Sequence, residues 1–317
     1  MQGSHYSWCD NWARIPDPPS DRENGRTHGV CVTNSGNVIV FHQAENGLLT
    51  FAPDGRLISA VGGKRWLGAH GLTKITFIGE ELLWLTDQTS AEVALVRLNG
   101  ETVRTITPPD HPAYHGKEAH KFIPTWAAQN PVTSEIWVAD GYGAWRVHGY
   151  SANGEYRMTL DGTEGAGRFR EPHGINFTMG TNGPELFITD RANHRIVVYD
   201  GNGNYLRSSL AAHSPCCFDF LGDSVLVPEL FTGVKLLNRA TLETVADIGQ
   251  NPAVLPRPDG DWWPPVAPAN WPNLAGTPLV QPGTFNSPHG ACFAPNGDIY
   301  VVEWIIGGRI TKLVRET

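Results

Sequence analysis

The 317-residue sequence lacks any uninterrupted apolar run of the ~18 to 20 residues that a membrane-spanning helix needs, so no membrane partner is expected. It also lacks the charged and then apolar N-terminal pattern of a signal peptide, and we expect a cytoplasmic protein. Runs of basic residues are missing as well. With 24 Lys and Arg against 32 Asp and Glu, the formal net charge is -8, which argues against a nucleic-acid partner.

Cysteines are few, and their odd number of five, without framework spacing, argues against a disulfide scaffold. Charged residues make up only 18% of the chain, whereas glycine and proline are abundant, at 35 and 24 residues. This balance is typical of many short strands separated by turns.

The main positive feature is an internal repeat. Each unit opens on a short apolar segment that begins with histidine, threonine or cysteine, and a second apolar strand follows it. The six openings lie at His28, His70, Thr125, His173, Cys216 and His289. A third strand, a polar glycine turn and a fourth strand complete the unit, and four strands per repeat are typical of a propeller blade.

The sequence therefore predicts an all-β, six-bladed β-propeller that forms a single domain over residues 1–317. The last unit ends after three strands, so we expect a segment near Tyr6 to Ile15 to supply its fourth strand. Insertions at 108–121 and 250–284 are predicted to be loops over the channel mouth. Three tryptophans in the second insertion favour a packed lid, and two of them, Trp262 and Trp263, are predicted to contact the substrate.

Five segments are most similar to a known protein family: Asn37 to His42, Trp137 to Tyr142, Pro172-His173, Asp190 to Asn193 and Pro288 to Gly290. With its NHL-type units, the chain resembles the peptidyl-α-hydroxyglycine α-amidating lyase family. Members of that family are six-bladed NHL propellers with a zinc ion on three channel histidines. The resemblance implies that His70, His173 and His289 bind the metal, that Tyr142 is catalytic and that Arg191 lies in the pocket.

Three positions depart from the family pattern. The family's substrate-contacting arginine falls on Gln43, its pocket methionine on Ser287 and its calcium-binding aspartate on Gly290. The resemblance therefore implies metal chemistry, but it favours neither a peptide substrate of the amidating type nor a structural Ca²⁺.

Apart from any family, the repeat places the six opening residues at one equivalent position, and equivalent positions in a closed ring face one axis. Three neutral imidazoles with an open fourth position form a catalytic zinc arrangement. Zn²⁺ is the expected ion, although Fe, Mn and Co also suit imidazole. Alternatively, each histidine is only a hydrogen-bonded strand-entry residue; histidine at four of the six positions favours metal, with His28 as an added ligand. Cys216 is a further candidate, but a small buried residue is the simpler interpretation.

A second ring closes the second strands, at His42, Asp87, Asp140, Asp190, Glu229 and Glu303. We expect its acids chiefly to accept hydrogen bonds from turn amides. The alternative is that they hold the tautomers of the metal histidines.

Residues just past this ring are predicted to line the mouth above the metal: Gln43, Gln88, Tyr142, Arg191, Phe231 and Trp304. Tyr142 is the predicted general base, and Arg191 is the predicted anion anchor because its planar fork suits an oxyanion. His120 of the first insertion is a further candidate to overhang the channel.

The favoured function is a metal-dependent lyase that acts on a small hydroxylated substrate and breaks a carbon-oxygen or carbon-nitrogen bond. A carbohydrate-directed eliminase or epimerase on the same metal site is an alternative, since tryptophan faces stack on sugar rings and the substrate could be sugar-derived. Two others are a gluconolactonase-like metal-dependent hydrolase and a non-enzymatic NHL interaction module. Nothing in the sequence indicates an oligomeric state.

Overall fold

Six four-stranded antiparallel sheets form the molecule, which a computed structural model describes for residues 6–16, 25–231, 233–251 and 280–316. Within these ranges there is no α-helix; the helical turns are two 3-10 segments, Pro112–Tyr114 and Arg191–Asn193. No helix in the described ranges has the length and apolar character to cross a membrane. The predicted six-bladed β-propeller is confirmed.

The blades follow one another along the chain, each from its innermost strand outward. Blade one contains β2 (Thr27–Val32), β3 (Val38–His42), β4 (Leu48–Phe51) and β5 (Leu57–Val61). Blade two contains β6 (Ala69–Phe77), β7 (Glu80–Asp87), β8 (Glu92–Arg97) and β9 (Thr102–Ile106). Blade three contains β10 (Trp126–Gln129), β11 (Ile136–Asp140), β12 (Arg146–Tyr150) and β13 (Tyr156–Leu160).

The second half of the ring repeats this order. Blade four contains β14 (Pro172–Gly180), β15 (Gly183–Asp190), β16 (Arg195–Asp200) and β17 (Tyr205–Ser209). Blade five contains β18 (Asp219–Leu221), β19 (Ser224–Glu229), β20 (Gly233–Asn238) and β21 (Thr244–Ile248). Blade six contains β22 (Pro288–Phe293), β23 (Ile299–Glu303), β24 (Arg309–Arg315) and, from the other end of the chain, β1 (Tyr6–Cys9).

The two ends of the described chain meet in blade six. Strand β1 pairs antiparallel with β24, from Tyr6 opposite Arg315 to Cys9 opposite Lys312. The Trp8 ring packs on Phe285 with a centroid distance of 4.5 Å. The predicted N-terminal closing strand is therefore confirmed, and it gives the last blade the same four strands as the others.

Apolar clusters fill the spaces between neighbouring blades, and the innermost strands pack close together at the channel. A Cβ atom on Gly174 would lie 2.2 Å from the Cys216 carbonyl oxygen, and one on Gly290 would lie 2.2 Å from the His28 carbonyl oxygen. Only glycine fits such close backbone approaches.

The first insertion is anchored on blade three. Tyr114 donates its hydroxyl hydrogen to Asp140 Oδ2 at 2.6 Å, and its oxygen lies 2.7 Å from His148 Nε2. Most of the second insertion, including Trp262, Trp263 and Trp271, lies outside the described residues. The prediction that it forms a lid with tryptophan contacts to substrate stays a prediction.

Candidate metal centre and its surroundings

Local backbone irregularity places each histidine at the channel axis. The pairing of the first and second strands shifts register beside the histidine in four blades: between Thr27 and Gly29, Ala69 and Leu72, Pro172 and Ile175, and Pro288 and Gly290. A bulge of this kind changes the direction of a side chain at the end of a strand. The repeat therefore places four imidazoles close together at the channel axis.

The four histidine rings form a compact buried cluster at that point. His28, His70, His173 and His289 are each at most 1% exposed. His70 contacts the other three with ring centroid distances of 4.7 to 4.9 Å, and His28 and His289 are 4.4 Å apart. The predicted metal residues are thus brought together in one place.

Hydrogen bonds to backbone oxygens fix the tautomers of these rings. Nδ1 of His70 lies 2.8 Å from the Thr125 carbonyl oxygen, and Nδ1 of His173 lies 2.7 Å from that of Cys216. His289 and His28 make longer contacts of 3.2 and 3.3 Å to carbonyl oxygens. A carbonyl oxygen only accepts, so Nδ1 carries the proton and Nε2 presents a lone pair.

Burial also keeps the cluster neutral. It lowers the pKa of His70 to about 3 and lowers the pKa values of His28, His173 and His289 well below the ordinary range. Neutral imidazole is the form that binds metal ions.

The Nε2 atoms fit a cation between them. Those of His70 and His173 are 3.2 Å apart, although both present lone pairs, and Nε2 of His289 is buried without a hydrogen-bond partner in the described structure. A tetrahedral zinc site with Zn–N bonds of about 2.0 to 2.1 Å separates its nitrogens by roughly 3.3 Å. Possible ligand atoms of His28, His70 and His289 lie within 4.8 Å of one another. The buried cluster could therefore hold a metal ion.

Cys216 belongs to an overlapping group with His173 and His289, within the same 4.8 Å limit. Burial raises the pKa of its thiol to about 12, so the sulfur is protonated at neutral pH. The thiol would have to release this proton to bind a metal, whereas the neutral imidazoles would not, which favours the imidazoles as the primary donors.

Tyr142 and Arg191 lie directly beside the cluster. The Tyr142 hydroxyl oxygen is 3.2 Å from His70 Nε2 and 3.1 Å from His173 Nε2. Arg191 donates to the same oxygen through Nη2 at 3.1 Å, and its Nε and Nη2 groups also donate to Glu171 Oε2 at 3.2 and 3.1 Å. The two residues predicted to act together therefore touch.

Electrostatics tie these groups to one another. Burial raises the pKa of Tyr142, while the Arg191 guanidinium opposes that rise. Burial works to lower the pKa of Arg191, but the oxygens of Tyr142 and Glu171 outweigh it and raise that pKa. Arg191 thus remains a fixed positive charge beside the phenol.

The second ring has the structural role that was favoured for it. Asp87 accepts the Gly68 amide, Asp140 those of Ile123 and Ala144, and Glu303 those of Asn286 and Ser287. Asp190 and Glu229 likewise accept the amides of Arg170 and His213. The alternative role, fixing the histidine tautomers, is wrong because backbone carbonyls accept the Nδ1 hydrogens.

The remaining predicted rim residues follow the second strands at the histidine end of the blades. Gln43 is buried, Gln88, Phe231 and Trp304 are half-buried, and the His120 side chain is exposed in the first insertion. The Arg26 guanidinium stacks on the Trp304 ring, 4.7 Å from its centroid. Their contact with substrate stays a prediction.

Sequence reasoning missed two residues of the centre, Glu171 and Trp126. Glu171, the partner of Arg191, has a positive φ of 56°, which the repeat pattern does not predict. The Trp126 indole lies 6.2 to 6.4 Å from the rings of His70, His173 and His289, and it also borders a cavity on the far side. A signal for Trp126 existed, because the position after the opening residue is glycine in four other blades and cysteine in the fifth.

The fold and the site define a six-bladed propeller with a buried histidine centre, and comparisons with known proteins agree with the propeller fold. No family model matches the chain. Peptidyl-glycine α-amidating monooxygenase B of Xenopus laevis is 26% identical over 203 residues, and form A is 29% identical over 215 residues. These matches cover 54% and 58% of this chain but only 22% of each relative, so the chain spans about a fifth of their length.

Solved structures show the same fold. A streptogramin B lyase structure superimposes with a TM-score of 0.59 at 15% identity and covers 98% of both chains. An inactive variant of virginiamycin B lyase from Staphylococcus aureus with quinupristin gives a TM-score of 0.58 at 12% identity, covering 98% of this chain and 99% of that one. Together with the amidating enzymes, these likenesses fit a propeller related to that family.

Proposed function

We propose that the protein is a metal-dependent lyase that acts on a small hydroxylated substrate at the histidine centre. The observation that carries this proposal is the position of the Tyr142 hydroxyl oxygen, 3.1 to 3.2 Å from two imidazole nitrogens and 3.1 Å from Arg191. A group that can exchange a proton therefore adjoins the place where a metal would sit. The names of the similar proteins, amidating enzyme and streptogramin B lyase, support the same class.

His70, His173 and His289 would hold the ion through Nε2, with His28 close enough to join them. Bound there, a divalent ion would act as a Lewis acid and would polarise a substrate oxygen. Zn²⁺ suits the all-nitrogen donor set best, whereas Ca²⁺ prefers oxygen ligands. The backbone carbonyls that bind Nδ1 keep the rings oriented.

Tyr142 would move the proton. Its oxygen accepts the hydroxyl hydrogen of the substrate while a carbon-oxygen double bond forms and the neighbouring bond to nitrogen or oxygen breaks. The same hydrogen then passes from Tyr142 to the leaving atom, so the reaction consumes no net acid or base. This cycle begins with the phenolate, which burial disfavours; the Arg191 charge opposes that effect, and a bound divalent ion would oppose it further.

Arg191 would also orient the substrate. Its Nε and Nη2 donate to Glu171, Nη2 also donates to Tyr142, and the guanidinium interacts with the Cys216 thiol as well. We propose that the guanidinium also meets a carboxylate or another oxyanion of the substrate, for which its planar fork is suited.

The decisive experiment combines metal analysis with a substrate screen. Purified protein should contain a divalent metal, and a panel of N-(1-hydroxyalkyl) amides, sugar acids in their hemiacetal form and lactones should be followed by NMR for new aldehyde or ketone carbons. Activity that disappears on chelation and returns with metal supports the proposal. Metal-loaded protein that opens lactones but forms no carbonyl product would instead indicate the hydrolase.

A further inference from the structure

A second cavity lies in the channel beneath the histidine centre. It has a volume of about 340 Å³ and is bordered above by Trp126, whose indole donates to Thr73 at 2.9 Å. Because Trp126 also packs against three of the histidine rings, it separates the cavity from the metal centre. The exposed Pro295 and the half-buried Phe220 and Leu221 border the cavity and give it an edge toward solvent.

One carboxylate dominates the polarity of this lower cavity. Asp219 Oδ2 accepts the Phe293 amide at 2.7 Å, and no cation pairs with Asp219 in the part of the chain that the structure describes. Lys74 also borders the cavity, but its Nζ is bound to Glu81 at 3.2 Å. A carboxylate in mostly apolar surroundings is costly to ionise without a counter-charge, and burial accordingly raises the pKa of Asp219 to about 6.

The walls of the cavity are suited to an organic cation. The Phe218 and Phe220 rings are stacked, with centroids 6.2 Å apart and planes 17° from parallel, and both line the cavity together with Trp126. Aromatic faces attract a cation within about 6 Å of the ring centroid. Burial holds the nearby thiols of Cys31 and Cys292 in the protonated form by raising their pKa values, so they add no negative charge that would favour a metal ion.

We propose that the lower cavity binds a small organic monocation, an ammonium group on an aromatic or alkyl body, with Asp219 as its counter-ion. The volume lies near the lower end of the about 300 to 1,000 Å³ typical of small-molecule sites, which fits a ligand the size of an arylalkyl amine. Binding there does not depend on the reaction proposed for the histidine centre.

The probe is 2-phenylethylammonium at pH 7.5, titrated into the full-length, metal-loaded protein by calorimetry. 2-Phenylethanol is the neutral control of the same shape. We expect the ammonium to bind and the alcohol to bind roughly 10-fold more weakly or not at all, since only the cation can pair with Asp219. Failure of the ammonium to bind at millimolar concentration, or equal affinity of the two probes, would overturn the proposal. Both outcomes are measured on the wild-type protein alone.

Two variants and a metal-free control locate the binding. Asp219→Asn keeps the shape and an acceptor for the Phe293 amide but removes the charge, and it should weaken the ammonium about 10-fold. Asp223→Asn removes an exposed carboxylate of the same blade and should change nothing. Chelation of the wild-type protein should also leave the affinity unchanged, because the amine does not bind the metal. Loss of binding on chelation, or normal binding in Asp219→Asn, would place the ligand elsewhere.

Discussion

At the scale of single residues, the phenol of Tyr142 contacts both imidazole and guanidinium. Replacing Tyr142 with Phe keeps the ring and deletes the atom that makes all three contacts. We expect kcat to fall by about 10²- to 10⁴-fold, as is typical for loss of a general base. Steady-state kinetics on a substrate found by the screen measures this, and the metal content of the variant should match that of the wild type. A kcat close to normal would assign the proton transfer to another group.

Arg191 serves two partners at once. Lysine keeps the charge but not the fork, so Arg191→Lys cannot reach Glu171 and Tyr142 as the guanidinium does. We expect KM to rise because the anion anchor is weakened, and kcat to fall because the phenol loses a donor. Arg168→Lys, at an exposed position in the preceding loop, is the matched control. An unchanged KM in Arg191→Lys would mean that the arginine only positions Tyr142.

Asp219 should leave a signature in the pH dependence of stability. Its folded pKa of about 6 lies above the ordinary value of 3.8, so the folded state holds the proton more tightly than the unfolded state. The free energy of unfolding should therefore decrease at this group as the pH rises from about 4 to 6. Urea unfolding of the wild type and Asp219→Asn across that range tests the prediction, and the variant should be less sensitive to pH. Parallel curves would show that Lys74 or solvent already stabilises the carboxylate.

The residues that could be predicted are those that repeat. Four histidines stand at one position of six units, so their convergence follows from ring closure alone. Glu171 and Trp126 have no equivalents in the other repeat units. The role of Glu171 depends on a left-handed backbone turn, and that of Trp126 depends on the space left by small residues at the same position in other blades. Such features depend on tertiary packing, which a repeat pattern does not encode.

At the scale of elements, the alternation of apolar strands and glycine turns predicts the blades well. Blade five is the weakest match, and the structure shows why. Its innermost strand is reduced to Asp219–Leu221, and the segment before it joins the sheet only through an isolated bridge between Pro215 and Glu229. The two adjacent cysteines, Cys216 and Cys217, lie where the other blades have the start of a regular innermost strand.

A buried ion pair lies where the two ends of the described chain meet in blade six. Arg309, which is 2% exposed, donates to Glu303 Oε2 at 2.8 Å and to Asp10 Oδ1 at 2.7 Å. Arg309→Met would leave the fully buried Glu303 without its cation, and we expect a loss of about 3 to 5 kcal/mol in the free energy of unfolding. Denaturant unfolding is the measurement.

Two controls make the closure prediction specific. The double variant Arg309→Met with Glu303→Gln should recover part of the lost stability, because no unpaired charge is then buried. Lys64→Met, which breaks an ion pair between an exposed lysine and a partly exposed glutamate, should change stability by less than about 1 kcal/mol. Equal losses in Arg309→Met and Lys64→Met would contradict a special role for the closing pair.

At the scale of the whole molecule, the propeller serves to bring side chains from separate blades to one axis. His28, His70, His173 and His289 come from blades one, two, four and six, and each ring is oriented by a backbone carbonyl. The centre therefore exists only when the ring is closed, although no single histidine holds the ring together. Metal binding and folding should accordingly be separable by mutation.

The test of that separation is His173→Ala. We expect the wild type to hold one divalent ion per chain and the variant to hold none, because the Nε2 atom 3.2 Å from that of His70 is lost. The far-ultraviolet circular dichroism should be unchanged, since the apolar clusters between blades remain. His115→Ala, which removes an exposed imidazole of the first insertion, should keep the full metal content. At a free metal concentration of about 1,000 times Kd, the free energy of unfolding of the wild type should be roughly 4 kcal/mol higher than that of the chelated form. His173→Ala should show no such gain. Full metal occupancy in His173→Ala, or equal losses in both variants, would show that the metal is not held at the histidine centre.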